Sequence, residues 1–275
     1  MALTVNTNMA AMAAANTLNN TQGALSNTLA RVSSGLRVTK AADDAAGQAV
    51  ATNLSTQARS GRQAIRNAND GISVIQTAEA ASKEVLNILD RMRELAVQSS
   101  SETLEDGERA YIDSEFHQLS DEVERIAQST EFNDIQLGDG TNSSLAVQVG
   151  VDASSNSRVG ITLGNLTTSN LSVQTTDIDL TNASTAQTAI TTIDSAIDSV
   201  NSIRADYGAV QNRLESSINN MSSYVESLSA AASQIQDADY AHETAEMTRL
   251  QVMQQAGVAA LGQARGMNQS VLALL

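Results

Sequence analysis

The sequence predicts a mainly α protein. It reads as a long antiparallel coiled-coil or helical-bundle rod with a small β-hairpin region, its N- and C-terminal helices paired as an inner coiled coil. Three observations carry this reading. Apolar residues recur at alternating steps of three and four along most of the 275 residues. Proline is absent and aromatics make up only 2%, so nothing breaks a helix from within and few rings exist to fill one round core. Between about residues 132 and 173 the apolar period drops to two, the spacing of strands.

The first seam runs through Ala11, Ala15, Leu18, Gln22, Leu25, Leu29, Val32 and Leu36, with one polar exception. "GLRVTKAADDAAG" then separates it from a second seam at Leu54, Ala58, Gly61, Ile65, Ala68, Ile72 and Ile75. After a one-residue slip that seam continues through Ala78, Ser82, Val85, Leu89, Met92 and Ala96. Thr103-Leu-Glu-Asp106 has the spacing of a capping box, and the helix it would open carries Ile112, Phe116, Leu119, Val123 and Ile126. Leu145, Val147, Val149 and Val151, then Val159, Ile161 and Leu163, alternate as strands, with "GDGTNSS" and "DASSNS" as turns.

Ser184-Thr-Ala-Gln187 is a second candidate capping box. It precedes a seam from Ile190 to Ile235 that is about 70 Å long at ~1.5 Å per residue, too long for a small globule. The tail seam is Leu250, Met253, Gly257, Ala260, Ala264, Met267, Val271 and Leu274. Residues 1–42 with 236–275 are expected to form a terminal coiled-coil domain. Residues 43–174 with 175–235 form the helical rod, including the β region at about 132–173. The terminal seams are rich in Ala and Gly, and ordering a residue costs about 1–2 kcal/mol of backbone entropy. Both ends are therefore expected to be loose in a lone subunit and to order when neighbours cover them.

Composition excludes several functions. A net charge of −15, a pI near 4.4 and only two lysines argue against nucleic acid. No long apolar run suggests a membrane span, and "MALTVNTNMA" lacks the basic start of a secretory signal. With no Cys and two histidines, metal and acid–base chemistry have little to work with. His242-Glu243 with Glu246 lacks the second His of HExxH; "DADYA" lacks calcium-loop spacing; "GLGQARG" follows no strand. No catalytic, metal or cofactor residues and no cofactor are expected, and the protein is read as not an enzyme. The tail offers only Arg249, Arg265 and glutamines, with no aromatic after Tyr240, where a membrane-surface helix wants Lys and Arg on its polar face and aromatic anchors, which favours a protein seam. In "LDRMRELAVQS", Leu89, Met92 and Ala96 face the seam while Arg91, Arg93 and Glu94 point outward.

The opening "MALTVNTNMAAMAAANTLNNTQGALSNTLARVSSGLRVTKAADDAAGQAVA" resembles the start of a bacterial flagellin. "NRLESSINN" and "QIQDADYAHETAEMTRLQVMQQAGVAALGQARGMNQSVLALL" resemble that family's C-terminal half, while "LDRMRELAVQS" and "TEFNDIQLGDG" match runs between. The resemblance implies a structural subunit that self-polymerises into the flagellar filament for swimming motility. It implies a short form, without the variable outer domains that the family inserts in the central β region. The inner assembly layer would use Leu18, Leu25, Leu29 and Val32 with Leu250, Met253, Met267, Val271 and Leu274. It further implies export without a cleaved signal peptide to an extracellular filament. The implied partners are other copies of the chain, an export chaperone, filament cap and hook-junction proteins, and a Toll-like receptor. Arg91, Leu95 and Glu122 fall on family positions for receptor contact; Asp90 stands where well-recognised members often carry Gln. The alternative function is a hook–filament junction protein or an exported coiled-coil binding protein with the same terminal logic.

Overall fold

The computed structural model describes the backbone of residues 7–272 and the side chains of residues 7–266. In chain order the elements are α1 (Met9–Ser34), α2 (Ala45–Ser99), α3 (Asp106–Ser129), β1 (Glu131–Phe132), β2 (Ile135–Gln136), β3 (Ser144–Gln148), β4 (Arg158–Thr162), α4 (Thr168–Leu171), α5 (Ala183–Gln236) and α6 (Tyr240–Leu272). The fold is mainly helical, as the spacing predicts. It divides into two compact units. One holds α1, α6 and the adjoining ends of α2 and α5; the other runs Arg59–Val225. The division thus falls inside α2 and α5, not in the linkers near residues 42 and 236.

In the Arg59–Val225 unit, one core cluster joins Val85, Leu89 and Met92 of α2 to Phe116 and Val123 of α3 and to Ile193 and Val200 of α5. A second joins Ile75 of α2, Tyr207 and Leu214 of α5, and Val159 and Ile161 of β4. The buried line of α2 passes through Ala64 and Gly71, while Ile65 and Ile72 flank it half-buried. The reason is close approach. A Cβ at Gly71 would lie 3.0 Å from Val147 on β3, and one at Gly61 only 2.5 Å from Val225 on α5. The same exchange occurs on α5, where Ala189 and Ala196 are buried and Ile190 and Ile197 pack partly exposed.

Both predicted capping boxes are displaced. The α3 box is Glu105 with Glu108, because Ser101 and Thr103 are spent on a turn of their own, joined hydroxyl to hydroxyl at 2.7 Å. At α5 the cap is Asn182, whose Oδ1 accepts from the Ser184 amide at 3.0 Å. Strands β1 and β2 form a hairpin whose two turn residues, Asn133 and Asp134, have φ of 50° and 63°. That left-handed pair matches the twist of a two-residue hairpin. Strands β3 and β4 pair antiparallel, Val147 opposite Val159.

Residues 163–182 show no apolar period, yet Leu166, Leu171, Val173, Ile178 and Leu180 plug the first cluster. Polar side chains seat this segment. Ser120 donates to the Val173 carbonyl at 2.7 Å and Ser99 to that of Leu180 at 2.5 Å, while Asp113 accepts from the Leu180 amide at 3.0 Å. Arg109 is 7% exposed and donates to the carbonyls of Ser99 (3.0 Å) and Ser101 (2.6 Å). It thereby closes the C-terminus of α2, which has no basic residue in its own last turn.

Candidate assembly surface

Helices α1 and α6 lie antiparallel, and four rungs fix their register. Arg31 meets Glu243 at 3.5 Å, and Gln254 hydrogen-bonds Gln22. Gly257 sits against Leu18, with 3.3 Å left for a Cβ, and Asn8 donates to the Ala264 carbonyl at 2.9 Å. Asn8 also caps α1 by accepting from the Ala11 amide. At the other end, Gly35 (φ 73°) closes α1 in the left-handed conformation that glycine adopts without strain. The chain then pairs with the α5–α6 linker. Leu36 bridges Asp237, the Arg37 amide donates to Gln236, and the Arg37 guanidinium donates to the Ile235 carbonyl at 2.8 Å. Asp239 accepts from the amides of Ala241 and His242, so the "DADYA" carboxylates belong to a linker and a helix cap.

The seam between the two helices is thin. In α1 the buried residues are Thr21 and Thr28, not Gln22 and Leu29. The Thr21 hydroxyl is satisfied by its own helix, donating to the Thr17 carbonyl at 2.9 Å. In α6 Glu243 and Leu250 are buried, and Gln254, Gly257, Leu261 and Ala264 are half-buried. Gln254 and Leu261 thus stand where the sequence suggested Met253 and Ala260. The polar rungs at Glu243 and Gln254 set this rotation, which apolar counting could not see.

The predicted inner-layer residues therefore divide. Leu250 is buried; Leu18, Leu25 and Val32 are half-buried in the pair. Leu29 (55% exposed) and Met253 (41%) point away from the seam. The side chains of Met267 and Val271, and Leu274 altogether, lie outside the described residues. Of the eleven exposed large apolar side chains among the described residues, seven lie on these two helices: Met9, Met12, Leu29, Tyr240, Val252, Met253 and Val258. An apolar surface concentrated in this way marks an interaction site.

On the Arg59–Val225 unit, Arg91 is exposed and holds two carboxylates, Glu115 at 2.8 Å and Glu94 at 2.9 Å. Those hydrogen bonds raise the Arg91 pKa, Glu115 contributing most. Arg93 binds Asp194 at 2.6 Å, and its hydrogen bond holds the Asp194 carboxyl below the usual range. Glu122 pairs with Arg125, one helical turn along α3, and not with Arg91. Asp90 is exposed. Leu95 is 1% exposed inside the first core cluster, where α2 turns it toward Phe116 and α5; it offers no surface to a partner. Sequence reading missed Thr21, Thr28, the Arg31–Glu243 rung, Arg109 and the Glu115 partner of Arg91. All depend on which polar groups face one another, which spacing does not encode. Among the described residues no cluster of three His, Cys, Asp or Glu could hold a metal, and no helix is long and apolar enough to cross a membrane.

Comparison with known proteins shows the family of the chain. A family model for the bacterial flagellin N-terminal helical region matches residues 5–143, and one for the flagellin C-terminal helical region matches residues 190–275. The unmatched stretch between them contains β3, β4 and α4. A flagellin of Halalkalibacterium halodurans is 44% identical over 245 residues, covering 89% of each chain. The flagellar filament 33 kDa core protein of Treponema phagedenis is 38% identical over 285 positions, covering 98% of this chain and 99% of its own. Flagellin A of Vibrio anguillarum is 32% identical over an alignment of 378 positions that covers both chains fully. Against 275 residues here, that leaves 103 positions filled only in the Vibrio protein. The chain belongs to the bacterial flagellin family, as a short form of the structural subunit of the flagellar filament.

Proposed function

We propose that this chain polymerises with itself into an extracellular flagellar filament, with the α1/α6 pair as the layer that orders on assembly. The concentration of exposed apolar side chains on two helices that share one large buried apolar residue, Leu250, carries this reading. A seam so poor in burial gains little on closing alone, whereas neighbouring copies can cover Met9, Met12, Leu29, Val252, Met253 and Val258. The contacts are head to tail and do not close on themselves, so growth yields a fibre. The subunit works as structural material, not as an enzyme. Relatives named as flagellar filament core proteins support this.

An export route without a cleaved signal, an export chaperone, a filament cap and a hook-junction partner are extensions by family resemblance. A Toll-like receptor contact is a further one. It would rest on the exposed Arg91 and on Glu122, with Asp90 altering charge beside them and Leu95 taking no part. The test of the central proposal is truncation. Removing residues 255–275 is expected to leave a soluble, helical chain that fails to extend sheared filament seeds. Filaments of the truncated chain in electron micrographs would refute the assignment of the α1/α6 layer. Extension of seeds by the full chain through many copies separates a filament subunit from a junction protein, which adds one layer.

A further inference from the structure

Within the Arg59–Val225 unit a trough runs between the β3–β4 hairpin and α5. Its floor is apolar: Val149 and Val159 are 7% and 6% exposed and belong to the second core cluster. Its walls are polar. Asn156 and Arg158 line the hairpin side, and Asn212, Arg213, Ser216 and Ser217 line the α5 side. This cleft has room for about 390 Å³, and one of about 330 Å³ continues it past Ser157 and Asn220. The two share Val149, Asn156, Ser216 and Ser217, so they are continuous. Sites for small molecules span ~300–1,000 Å³.

The chain has 31 carboxylates among 275 residues, yet none lines either cleft. The nearest in sequence, Asp152 and Glu215, lie outside the lining, and Glu215 accepts from Gln211 at 3.1 Å. Arg158 and Arg213 form no ion pair among the described residues. Arg91, Arg93, Arg109, Arg125 and Arg204 of the same unit each hold a carboxylate. Two uncommitted guanidinium groups over an acid-free trough make it positive in a chain of net charge −15. Arg158 is also held in place. Its Nε donates to Gln148 Oε1 at 3.0 Å, and Gln148 Nε2 donates to the carbonyls of Gly150 at 2.9 Å and Asp152 at 2.6 Å. Fastened at Nε, the guanidinium keeps its outer nitrogens for a planar oxyanion and loses less entropy on binding one. The other wall groups are amides and hydroxyls, which both donate and accept. Ser195 and Ser199 on the same helix donate to carbonyls of their own turn, whereas Ser216 and Ser217 donate to none among the described residues. Their hydroxyls are free for a ligand.

We propose that this trough binds an acidic saccharide, a short sugar chain bearing carboxylates. Arg158 and Arg213 take the carboxylates, and Asn156, Asn212, Ser216 and Ser217 take the sugar hydroxyls. The lining decides between ligand classes. A bare oxyanion would use the two arginines and leave the amides and hydroxyls idle; a neutral sugar would leave the arginines idle. The site is a property of one subunit and stands apart from the assembly reading above.

The test titrates the unpolymerised full-length chain by calorimetry at low salt with trigalacturonate, neutral maltotriose, triglutamate and inorganic phosphate. Trigalacturonate is expected to bind more tightly than the other three. Arg158→Gln/Arg213→Gln should weaken it at least roughly tenfold, the scale of a lost charge-assisted hydrogen bond. Asn212→Ala/Ser216→Ala should weaken trigalacturonate severalfold and leave phosphate unchanged, because phosphate presents no sugar hydroxyl. Arg62→Gln, which alters an exposed arginine outside the trough, should change nothing. Both trough arginines are exposed, so the melting of each variant by circular dichroism should match the wild type. The proposal is overturned if trigalacturonate does not bind, if Arg62→Gln weakens it as much as the double variant does, or if phosphate or triglutamate binds as tightly.

Discussion

Leu250→Ala tests whether the terminal pair is closed before or after assembly. Leu250 is 4% exposed and is the one large apolar side chain buried between α1 and α6 among the described residues. Truncating a buried Leu typically costs 2–5 kcal/mol. The lower part of that range, about 2–3 kcal/mol, applies here because the seam is lined with Thr, Ala and Gly and collapses readily. That free energy must surface somewhere, as a factor of roughly 30- to 150-fold in an equilibrium constant. If the pair closes only when neighbours cover it, the whole factor enters assembly: the concentration of free subunit in equilibrium with filaments rises by that amount. Sedimentation of filaments at several total concentrations measures it. The melting of the Arg59–Val225 unit, followed by circular dichroism, should not move. The reasoning is refuted if the free-subunit concentration stays put while amide exchange in monomeric α1 and α6 accelerates 30- to 150-fold. The pair would then already be closed in the free subunit.

Arg109→Met removes two charge-assisted hydrogen bonds to carbonyls at the end of α2 and should destabilise the Arg59–Val225 unit by about 3–5 kcal/mol in urea titration, with Arg109→Lys recovering part. Gly61→Val places a Cβ 2.5 Å from a Val225 methyl, so the Val225 side chain or the helix that carries it must shift; a loss of about 1–3 kcal/mol by the same titration is expected. Acid should weaken the Arg59–Val225 unit through Asp194, whose carboxyl is held low chiefly by the hydrogen bond from Arg93. A depressed folded pKa means its contribution is present above the unfolded value of about 3.9 and is lost as pH falls through the lower folded one. Asp194→Asn should therefore melt below the wild type at neutral pH, and the two melting curves should converge as the wild-type carboxylate becomes protonated.

The helices were legible because their period is long and nothing interrupts it, and the hairpins because the period changes. What spacing misjudged was rank within a stripe. Counting favoured Ile65 and Ile72 over Ala64 and Gly71, yet where two backbones approach closely the small residue takes the centre and the large one the flank. The caps slipped by two residues each because several Ser, Thr, Asn and Glu compete near each helix start, and local turns decide among them. Leu166, Leu171, Val173, Ile178 and Leu180 were not singled out because an irregular segment buries apolar side chains at no fixed interval. Leu95 was matched to a receptor-contact position by resemblance alone; its own i, i+3 spacing from Met92 already placed it beside the buried stripe.

Under the proposed assembly, the contrast between the two units gives a reason for building the terminal pair from threonine, alanine and glycine. In the Arg59–Val225 unit, Phe116, Met92, Leu89, Tyr207 and Leu214 are almost wholly buried, so this unit has a core of its own. Had Thr21 and Thr28 been Leu, the α1/α6 seam would gain about 1.5–3 kcal/mol for each side chain fully buried, and a lone subunit would close it. Closing early would remove the free-energy difference between solitary and assembled ends. A seam with one anchor leaves that difference to be released when a neighbour arrives. Each Thr can satisfy its hydroxyl within its own helix, as Thr21 does on Thr17, so a buried polar position carries little penalty once the seam is covered. Thr21→Leu/Thr28→Leu should accordingly raise the helicity of the monomer yet lower the free energy gained per subunit on assembly. On the assembly proposed above, partial stability at the ends lets growth depend on the filament already present.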